Sequence, residues 1–342
     1  MSELIDEICI VLGAGASVDC GFPLYADLTN ADRLSQLLSH AHERDYIVKL
    51  CQEIIVNNMH FEQLLTYLAK EGDEEKIEKA LIYYQKVLTI PDFYADEWNL
   101  SFLAGFLAQP FFLSADVPVH VISFNHDLLI EKCSLWQFEY GFGDVKSTFS
   151  PILIDKTVAG KTHLIHIPPH PRFTLYKLHG SLNMLDCQNC QSLIYTGVPC
   201  LHGHSVRKLD CPNCGAPPEK LVPNILPPVE AKTISSVSGA WEEAKKALAR
   251  ATIVQFIGYS LPEYDIEAIK LLEAIPSTAA VELIDPTMQQ TLIKRYEHVI
   301  QRSRCHNLFK MGFREFTIWQ FSQMGYEGNF TEFWSYPGAI QI

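Results

Sequence analysis

EICIVLGAGASVDCGFPLYADLT, residues 7–29, contains the pattern from which the rest of the chain can be interpreted. The uninterrupted apolar run at residues 8–12 predicts a short parallel strand that is buried on both faces. Gly13 and Gly15 would let the backbone turn sharply after that strand and approach a ligand closely. The peptide N–H groups around Ala14 to Ser17 would then point outward in front of a helix dipole, an arrangement that suits a pyrophosphate.

This loop differs from the dinucleotide fingerprint of hydride-transfer dehydrogenases. G-x-G-x-x-G requires a third glycine at the position of Val18, and it also requires an acidic residue ~20 residues further on. The loop therefore predicts a dinucleotide site of another kind, and a tight strand-to-helix turn without a ligand stays open. We expect Gly15→Val to abolish nucleotide binding with little loss of fold, provided that the backbone there does not need a positive φ.

Length and composition indicate a globular protein. The 342 residues, of which 48% are hydrophobic, suffice for one large domain with insertions or for two domains. The acidic start MSELIDE does not resemble a signal peptide, and no apolar run approaches the ~18 residues of a membrane helix. We therefore expect a cytoplasmic protein with no membrane partner and with reduced cysteines. The formal net charge of −13 argues against nucleic acid as the main partner.

Residues 29–113 predict a helical insertion. Apolar side chains recur three and four positions apart in LSQLLSHA, FEQLLTYLA and KALIYYQKVL, and Asn30 suits the N-cap of the first helix. No strand is predicted in this range. We expect the insertion to lie over one edge of the sheet, as a lid or as the contact with a partner protein or a second copy of the chain.

Further predicted strands end on polar residues. The strands are VPVHVISF, FTLYKL, ATIVQFIG and AAVELI, and carboxyl ends of parallel strands are where open α/β sheets bind ligands. Helix capping stays open as the role of the residues that follow the first of these strands. The polar residues in question are Asn125, Asp127, His179, Ser260 and Asp285.

Four closely spaced cysteines form the most specific motif. Cys187 and Cys190 make one C-x2-C knuckle, and Cys211 and Cys214 make a second one. Four thiolates at this spacing predict a tetrahedral zinc ion, and four cysteine ligands leave no open position, so the metal should be structural. Three residues between the knuckles are possible substitute ligands that we interpret as bystanders: Cys200, His202 and His204.

The order of these motifs resembles that of the sirtuin family. Glycine loop, Asn-x-Asp, His-Gly, four-cysteine knuckle, Gly-x-Ser and a final strand ending in an acid follow one another along the chain. The resemblance implies an α/β fold with a Rossmann-like parallel sheet, a helical insertion and a small four-cysteine zinc module. The implied NAD-binding domain comprises residues 1–28, 114–184 and 221–342, with the insertion at 29–113 and the zinc module at 185–220.

The resemblance also implies roles for individual residues. His179 would be the catalytic base, while Asn125 and Asp127 would bind the nicotinamide end of NAD and its ribose. Asp285 would hold the adenosine ribose. The other residues that would bind NAD are Gly13, Ala14, Gly15, Ala16, Ser17, Gly21, Phe22, Pro23, Gly258 and Ser260.

Two segments differ from the sirtuins that deacylate proteins. Those enzymes have Gly-Ile-Pro-Asp-Phe-Arg where this chain has GFPLYAD, and LVPNILPP contains nothing like their Phe-Gly-Glu segment. The chain is more similar to bacterial sirtuin-like proteins that hydrolyse NAD, many of which act in defence against phage. The resemblance thus implies an NAD glycohydrolase. An NAD-dependent protein-lysine deacylase, a non-catalytic NAD or ADP-ribose sensing subunit and a zinc-ribbon nucleic-acid binder stay open as alternatives.

Overall fold

A computed structural model gives an α/β protein in which the strands form two sheets. The class, the parallel sheet and the four-cysteine cluster predicted from the sequence are confirmed. The structure describes residues 7–24, 26–38, 44–55, 59, 61–94, 117–130, 140–142, 152–158, 161–164, 173–196, 210–225, 238–263 and 265–323.

Seven parallel strands form the larger sheet. In spatial order they are β12 (Cys305–Phe309), β11 (Ala280–Ile284), β10 (Ile253–Ile257), β1 (Ile8–Leu12), β2 (Val119–Ser123), β6 (Phe173–Lys177) and β3 (Tyr140–Phe142). Every residue of β1 is buried, which explains its uninterrupted apolar run, because a central parallel strand is covered on both faces. The predicted strands β1, β2, β6, β10 and β11 are confirmed.

The edge strand β12 was not predicted from the sequence. Four of its five residues are exposed, so CHNLF carries no apolar signal. Helix α8 (Phe313–Gln323) follows β12, and its Phe316 and Trp319 rings each lie 4.9 Å from the ring of Phe309. Aromatic packing thus fixes the end of this strand where hydrophobic alternation does not.

A second sheet of five strands carries the cysteine knuckles. In spatial order its strands are β5 (Lys161–Leu164), β4 (Ile152–Val158), β8 (Leu193–Thr196), β7 (Gly180–Cys187) and β9 (Leu221–Ile225). The prediction treated LVPNILPP only as a proline-rich return, whereas its first five residues form β9. Pro223 is tolerated there because β9 is an edge strand, where an absent N–H donor costs little.

In the described part of the predicted insertion, up to residue 94, the helices are α1 (Ala31–Leu37), α2 (Arg44–Ile54), α3 (Phe61–Glu71) and α4 (Glu74–Tyr94). Asn30 caps the first of them as predicted, since its Oδ1 accepts a hydrogen bond of 2.9 Å from the N–H of Arg33. The part of the predicted insertion beyond residue 94 lies outside the described residues. The domain boundaries given above stay predictions.

The remaining described helices alternate with the strands of the larger sheet and are α5 (Ser238–Arg250), α6 (Ile266–Leu272) and α7 (Gln290–Arg302). Among the helices that the structure describes, none combines the length and the apolar character needed to cross a membrane. The loops that follow β1, β2, β6 and β10 meet at the carboxyl edge of the sheet, with β1 flanked by β2 on one side and β10 on the other. This is the edge at which open α/β sheets bind ligands.

Candidate functional site

The glycine-rich loop folds as a short 3₁₀ helix, Ala14–Cys20, directly behind β1. The N–H of Gly15 donates to the carbonyl oxygen of Gly258 at 2.9 Å, and the N–H of Ala16 donates to the carbonyl oxygen of Gly13 at 2.9 Å. The expectation that the N–H groups of this loop all point outward is therefore wrong for these two residues. The bond from Ala16 lies within the loop, and the bond from Gly15 joins it to the loop after β10.

The glycines in this region permit two backbone segments to touch. A Cβ atom on Gly15 would lie 2.7 Å from the Cα of Gly258, and one on Gly13 would lie 2.5 Å from the Cα of Tyr259. Gly258 itself has a φ of +58°, a conformation that favours glycine. The expectation that Gly15→Val leaves the fold nearly intact is therefore wrong, because the new side chain would collide with rigid backbone.

Asn125, Asp127 and Ser17 form one polar network at the carboxyl ends of β1 and β2. The Ser17 hydroxyl donates to Asp127 Oδ2 at 2.7 Å, and Asn125 Nδ2 donates to Ser17 Oγ at 3.0 Å and to the carbonyl oxygen of Gly13 at 2.9 Å. Asp127 Oδ1 also accepts from the N–H of Leu129 at 3.1 Å, so the capping role left open for Asp127 is present as well. The network brings three predicted site residues together across two loops.

His126 was not assigned a role from the sequence, yet it joins three parts of the structure. Its Nε2 donates to the carbonyl oxygen of His179 at 2.9 Å, and its Nδ1 lies 2.7 Å from the hydroxyl of Tyr84 on α4. Because a carbonyl oxygen only accepts, the proton of the neutral ring lies on Nε2, and Nδ1 accepts from Tyr84. The sequence signal was its position between two polar residues after a strand.

His179 is buried in an aromatic setting and faces a carboxylate. Its Nε2 lies 3.2 Å from Asp265 Oδ2, and the side chains of the two residues are 3% and 1% exposed. The hydroxyl of Tyr259 donates to the same carboxylate oxygen at 3.0 Å. Phe124 stacks on Tyr259 with ring centroids 4.3 Å apart and meets the His179 ring edge-on at 4.9 Å. Sequence reasoning missed Tyr259 and Asp265, although both follow β10 in the polar segment GYSLPEYD.

A narrow cleft lies between the glycine loop, the residues after β2 and the helical insertion. Its cavity of about 20 Å³ holds roughly one water molecule, so a dinucleotide could enter only if the walls moved apart. The predicted site residues that do not line this cleft are Gly13, Gly15, Ala16, Gly21, His179, Gly258, Ser260 and Asp285. The lining residues are Ala14, Ser17, Phe22, Pro23, Leu28, Tyr84, Leu88, Asn125, His126 and Asp127.

Ser260 and Asp285 lie on the loops after β10 and β11. Asp285 Oδ1 accepts hydrogen bonds from the N–H groups of Thr287 and Met288, at 2.8 and 3.0 Å, and thereby shapes the turn before α7. Ser260 is exposed, and its carbonyl oxygen accepts from Arg295 Nη1 at 3.1 Å. Both residues have local structural partners, and their contact with NAD stays a prediction.

The four predicted cysteine ligands converge in space. The Sγ atoms of Cys187 and Cys214 are 3.7 Å apart, as are those of Cys190 and Cys211, and all four lie within 4.8 Å of one another. A tetrahedral zinc ion with Zn–S bonds of ~2.3 Å places its ligand sulfurs ~3.8 Å apart, so the cluster is the right size. The four cysteines are therefore positioned to bind a structural zinc ion.

Local contacts prepare one of these thiols for metal binding. Burial works against ionisation, but hydrogen bonds with Ser192 and Asn213 lower the pKa of Cys190 to about 6. Burial raises the pKa of Cys211 to about 12, and a bound cation would favour the thiolate form there. Three possible substitute ligands lie outside the described residues: Cys200, His202 and His204.

Comparisons with known proteins give matches among solved structures only. No protein-family model matches the sequence, and no curated protein matches it. A variant of a Sir2 homologue in complex with ADP-ribose overlaps with a TM-score of 0.47 and 15% identity, over 94% of this chain and 95% of that chain. For a Sir2 homologue in complex with NAD, the TM-score is 0.44 and the identity 13%, over 93% and 89% of the two chains. Sir2 in complex with the inhibitor EX-527, 2′-O-acetyl-ADP-ribose and a deacetylated p53 peptide gives a TM-score of 0.44 and 16% identity, over 93% and 94%. Identities this low identify neither a substrate nor a reaction for the present chain.

Proposed function

We propose that this chain is an NAD glycohydrolase, which hydrolyses NAD to nicotinamide and ADP-ribose. The observation that carries the proposal is the network in which Ser17 of the glycine loop bonds both Asn125 and Asp127, next to the buried pair of His179 and Asp265. Groups that can position a ribose and a group that can accept a proton thus meet at the carboxyl edge of one parallel sheet.

Hydrolysis breaks the bond between ribose C1′ and the nicotinamide nitrogen. The electron pair of that bond neutralises the positively charged ring nitrogen, and neutral nicotinamide leaves. The oxygen of a water molecule forms the new bond to C1′ and its proton passes to a base. A protein accelerates such a step by holding the sugar, orienting the water and accepting the proton.

The residues of this chain divide these tasks. Asn125 and Asp127 line the cleft and would hold the ribose hydroxyls and the attacking water through their amide and carboxylate groups. His179 would accept the proton. It is not among the residues that line the cleft, but its carbonyl oxygen accepts a hydrogen bond from His126, which does line it. Since the cavity holds roughly one water, NAD binding would require the segment at Phe22 and Pro23 to separate from α4.

The cysteine cluster would support this site from a distance. β7 begins at Gly180, the residue after His179, and ends at Cys187, the first ligand of the cluster. A zinc ion held by four cysteines would fix the far end of that strand and so limit the movement of His179. It would have no catalytic task, because four thiolates leave no position for water.

Product analysis tests the proposal. Purified protein is incubated with NAD, with and without an acetylated lysine peptide, and the ribosyl product is identified by mass spectrometry. We expect ADP-ribose without any peptide, and rates at least ~100-fold lower in Asn125→Ala and His179→Ala. Glu7→Gln is the matched control, because Glu7 pairs with a histidine, His120, on β2 instead of at the cleft.

Two results would contradict the proposed NAD glycohydrolase activity. Turnover that depends strictly on the acetylated peptide and yields O-acetyl-ADP-ribose would instead identify a deacylase. Undiminished turnover in the Asn125→Ala, His179→Ala double variant would place the active site elsewhere. A partner protein or a second copy docked on the helical insertion, and a role in defence against phage, stay predictions, so the assay should include any protein that copurifies.

A further inference from the structure

Asp265 stands at the N-cap position of α6, but its side chain caps no amide of that helix. Aspartate at this position usually accepts a hydrogen bond from an N–H group in the first turn. Here Oδ2 faces His179 Nε2 at 3.2 Å and accepts from the Tyr259 hydroxyl at 3.0 Å. The carboxylate is therefore directed away from its own helix and toward the candidate base.

Stability alone is a poor explanation for this pair. The side chains of His179 and Asp265 are almost completely buried, and the cost of removing charged groups from water commonly cancels the attraction between them. An apolar pair would fill the same space among Phe124, Trp241 and Tyr259 without that cost. A buried carboxylate beside an imidazole is, however, an effective way to orient a general base and to stabilise its protonated form.

We infer that Asp265 is a positioning residue for His179, an inference that rests on the proposed NAD hydrolysis. The Asp265 carboxylate oxygen 3.2 Å from Nε2 favours a proton on that nitrogen, which sets the Nε2–H tautomer and makes Nδ1 the basic nitrogen of the ring. When water attacks C1′, its proton goes to Nδ1, and the carboxylate of Asp265 stabilises the imidazolium that forms. Asp265 acts through His179 and has no contact with the reacting atoms.

Tyr259 holds the carboxylate in this orientation. Its hydroxyl donates to Asp265 Oδ2, its ring stacks on Phe124, and its carbonyl oxygen accepts from the hydroxyl of the buried Tyr296 at 2.9 Å. The Tyr259 ring is thus held by contacts on both its side chain and its backbone. A rotation of Asp265 away from His179 would break the hydrogen bond to Tyr259.

Kinetics of single and double variants provide the first test. We expect Asp265→Asn to lower kcat for NAD hydrolysis at least ~10-fold, while KM changes less than twofold, because Asp265 does not contact the substrate. In a His179→Ala background the same substitution should have no further effect, since a residue that acts through His179 loses its influence when the imidazole is absent. Glu7→Gln again serves as the control, because it removes a carboxylate from another buried histidine.

A spectroscopic measurement does not depend on turnover. The side-chain ¹⁵N shifts of His179, assigned by their loss in His179→Ala, should report the Nε2–H tautomer in the wild type and a mixture of tautomers in Asp265→Asn. Should Asp265→Asn fail to fold, Tyr259→Phe replaces it, because that change removes only the hydroxyl bond to the carboxylate. We expect Tyr259→Phe to shift the tautomer in the same direction and to lower kcat by a few-fold.

The outcomes separate this inference from the proposed function. An Asp265→Asn protein with wild-type kcat and an unchanged tautomer would overturn the inference and leave NAD hydrolysis standing. An equal loss in kcat in the wild-type and His179→Ala backgrounds would overturn it too, because that pattern indicates a structural role. A wild type that never cleaves NAD would refute the proposed function, while the ¹⁵N spectra would still decide whether Asp265 sets the tautomer of His179.

Discussion

One methyl group added at Gly15 should destabilise the whole protein, because the loop after β1 packs directly on the loop after β10. In Gly15→Ala the new Cβ would lie 2.7 Å from the Cα and 2.9 Å from the carbonyl oxygen of Gly258. Ordinary contacts between carbon atoms are ~3.5–4.0 Å, so the two loops would have to separate by about 1 Å. Both contacts are with backbone, which cannot rotate away as a side chain can.

The expected magnitude follows from that clash. Overpacking in a well-packed region typically costs 1–3 kcal/mol, and the hydrogen bond from the Gly15 N–H to Gly258 would be stretched as well. We expect a loss of about 2–4 kcal/mol in the free energy of unfolding. With an unfolding entropy of roughly 2.1 cal/mol/K per residue, a chain of 342 residues loses about 1.4 °C in Tm per kcal/mol, so Tm should fall by about 3–6 °C.

Thermal unfolding followed by circular dichroism measures this effect, and Gly312→Ala is the matched control. A Cβ on Gly312 would meet nothing closer than Asp19 Oδ2 at 3.6 Å, which is an ordinary contact. Equal Tm values for Gly15→Ala and Gly312→Ala would refute the packing argument. They would also restore the earlier expectation that Gly15 is needed mainly to leave room for a ligand.

Three further predictions concern the metal, the insertion and pH. One zinc ion per chain should be found by metal analysis, and Cys211→Ser should yield unstable or insoluble protein, because metal binding contributes to folding; well-folded wild type without zinc would contradict this. Tyr84→Phe removes the hydrogen bond to His126 and should lower the free energy of unfolding in urea by about 1 kcal/mol, whereas Tyr67→Phe on the exposed face of α3 should not. Burial lowers the pKa of His120 despite the nearby Glu7 carboxylate. The neutral imidazole therefore contributes to the stability of the folded protein above its unfolded pKa of about 6.5, and this contribution is lost as the pH falls through the lower folded pKa. His120→Gln should therefore show a smaller drop in Tm between pH 7.5 and 5.5, and an unchanged drop would refute the assignment.

The sequence predicted the strands of the larger sheet that are mostly buried and mostly apolar. β1 and β2 are buried along their whole length, and in β1 this burial coincides with a continuous apolar run that is visible without a structure. β12 is an exposed edge strand, so its residues lack the apolar pattern by which a strand is predicted, although it is hydrogen-bonded to β11. β9 contains a proline and was therefore interpreted as a return segment.

The parts of the candidate site that could be predicted are those whose residues lie close together in the sequence or directly after a strand. The zinc cluster follows from two short cysteine motifs, and the polar residues after β2 follow from their position at a strand end. The pairing of His179 with Asp265 joins residues from two different loops, and no local pattern encodes such a contact. For Gly15 the rule that glycine permits close approach was right, and the group that approaches it in this structure is the backbone of Gly258, which no local pattern indicates.

The central place of β1 has a consequence for how the protein is made. Ile8 pairs with Val119 on one side and with Ile253 on the other, so β1 can complete its hydrogen bonding only after the long stretch of chain between β1 and β10 has been added. At ~5–20 residues per second, the ribosome needs on the order of ten seconds to a minute to add β10. During that time one edge of the apolar strand β1 has no strand to pair with and can form non-native contacts. Gly258, which packs against the glycine loop in the folded protein, has not yet been synthesised. A nascent chain that ends before β10 should therefore be a client for chaperones, and it should acquire a competent site only when its C-terminal half arrives.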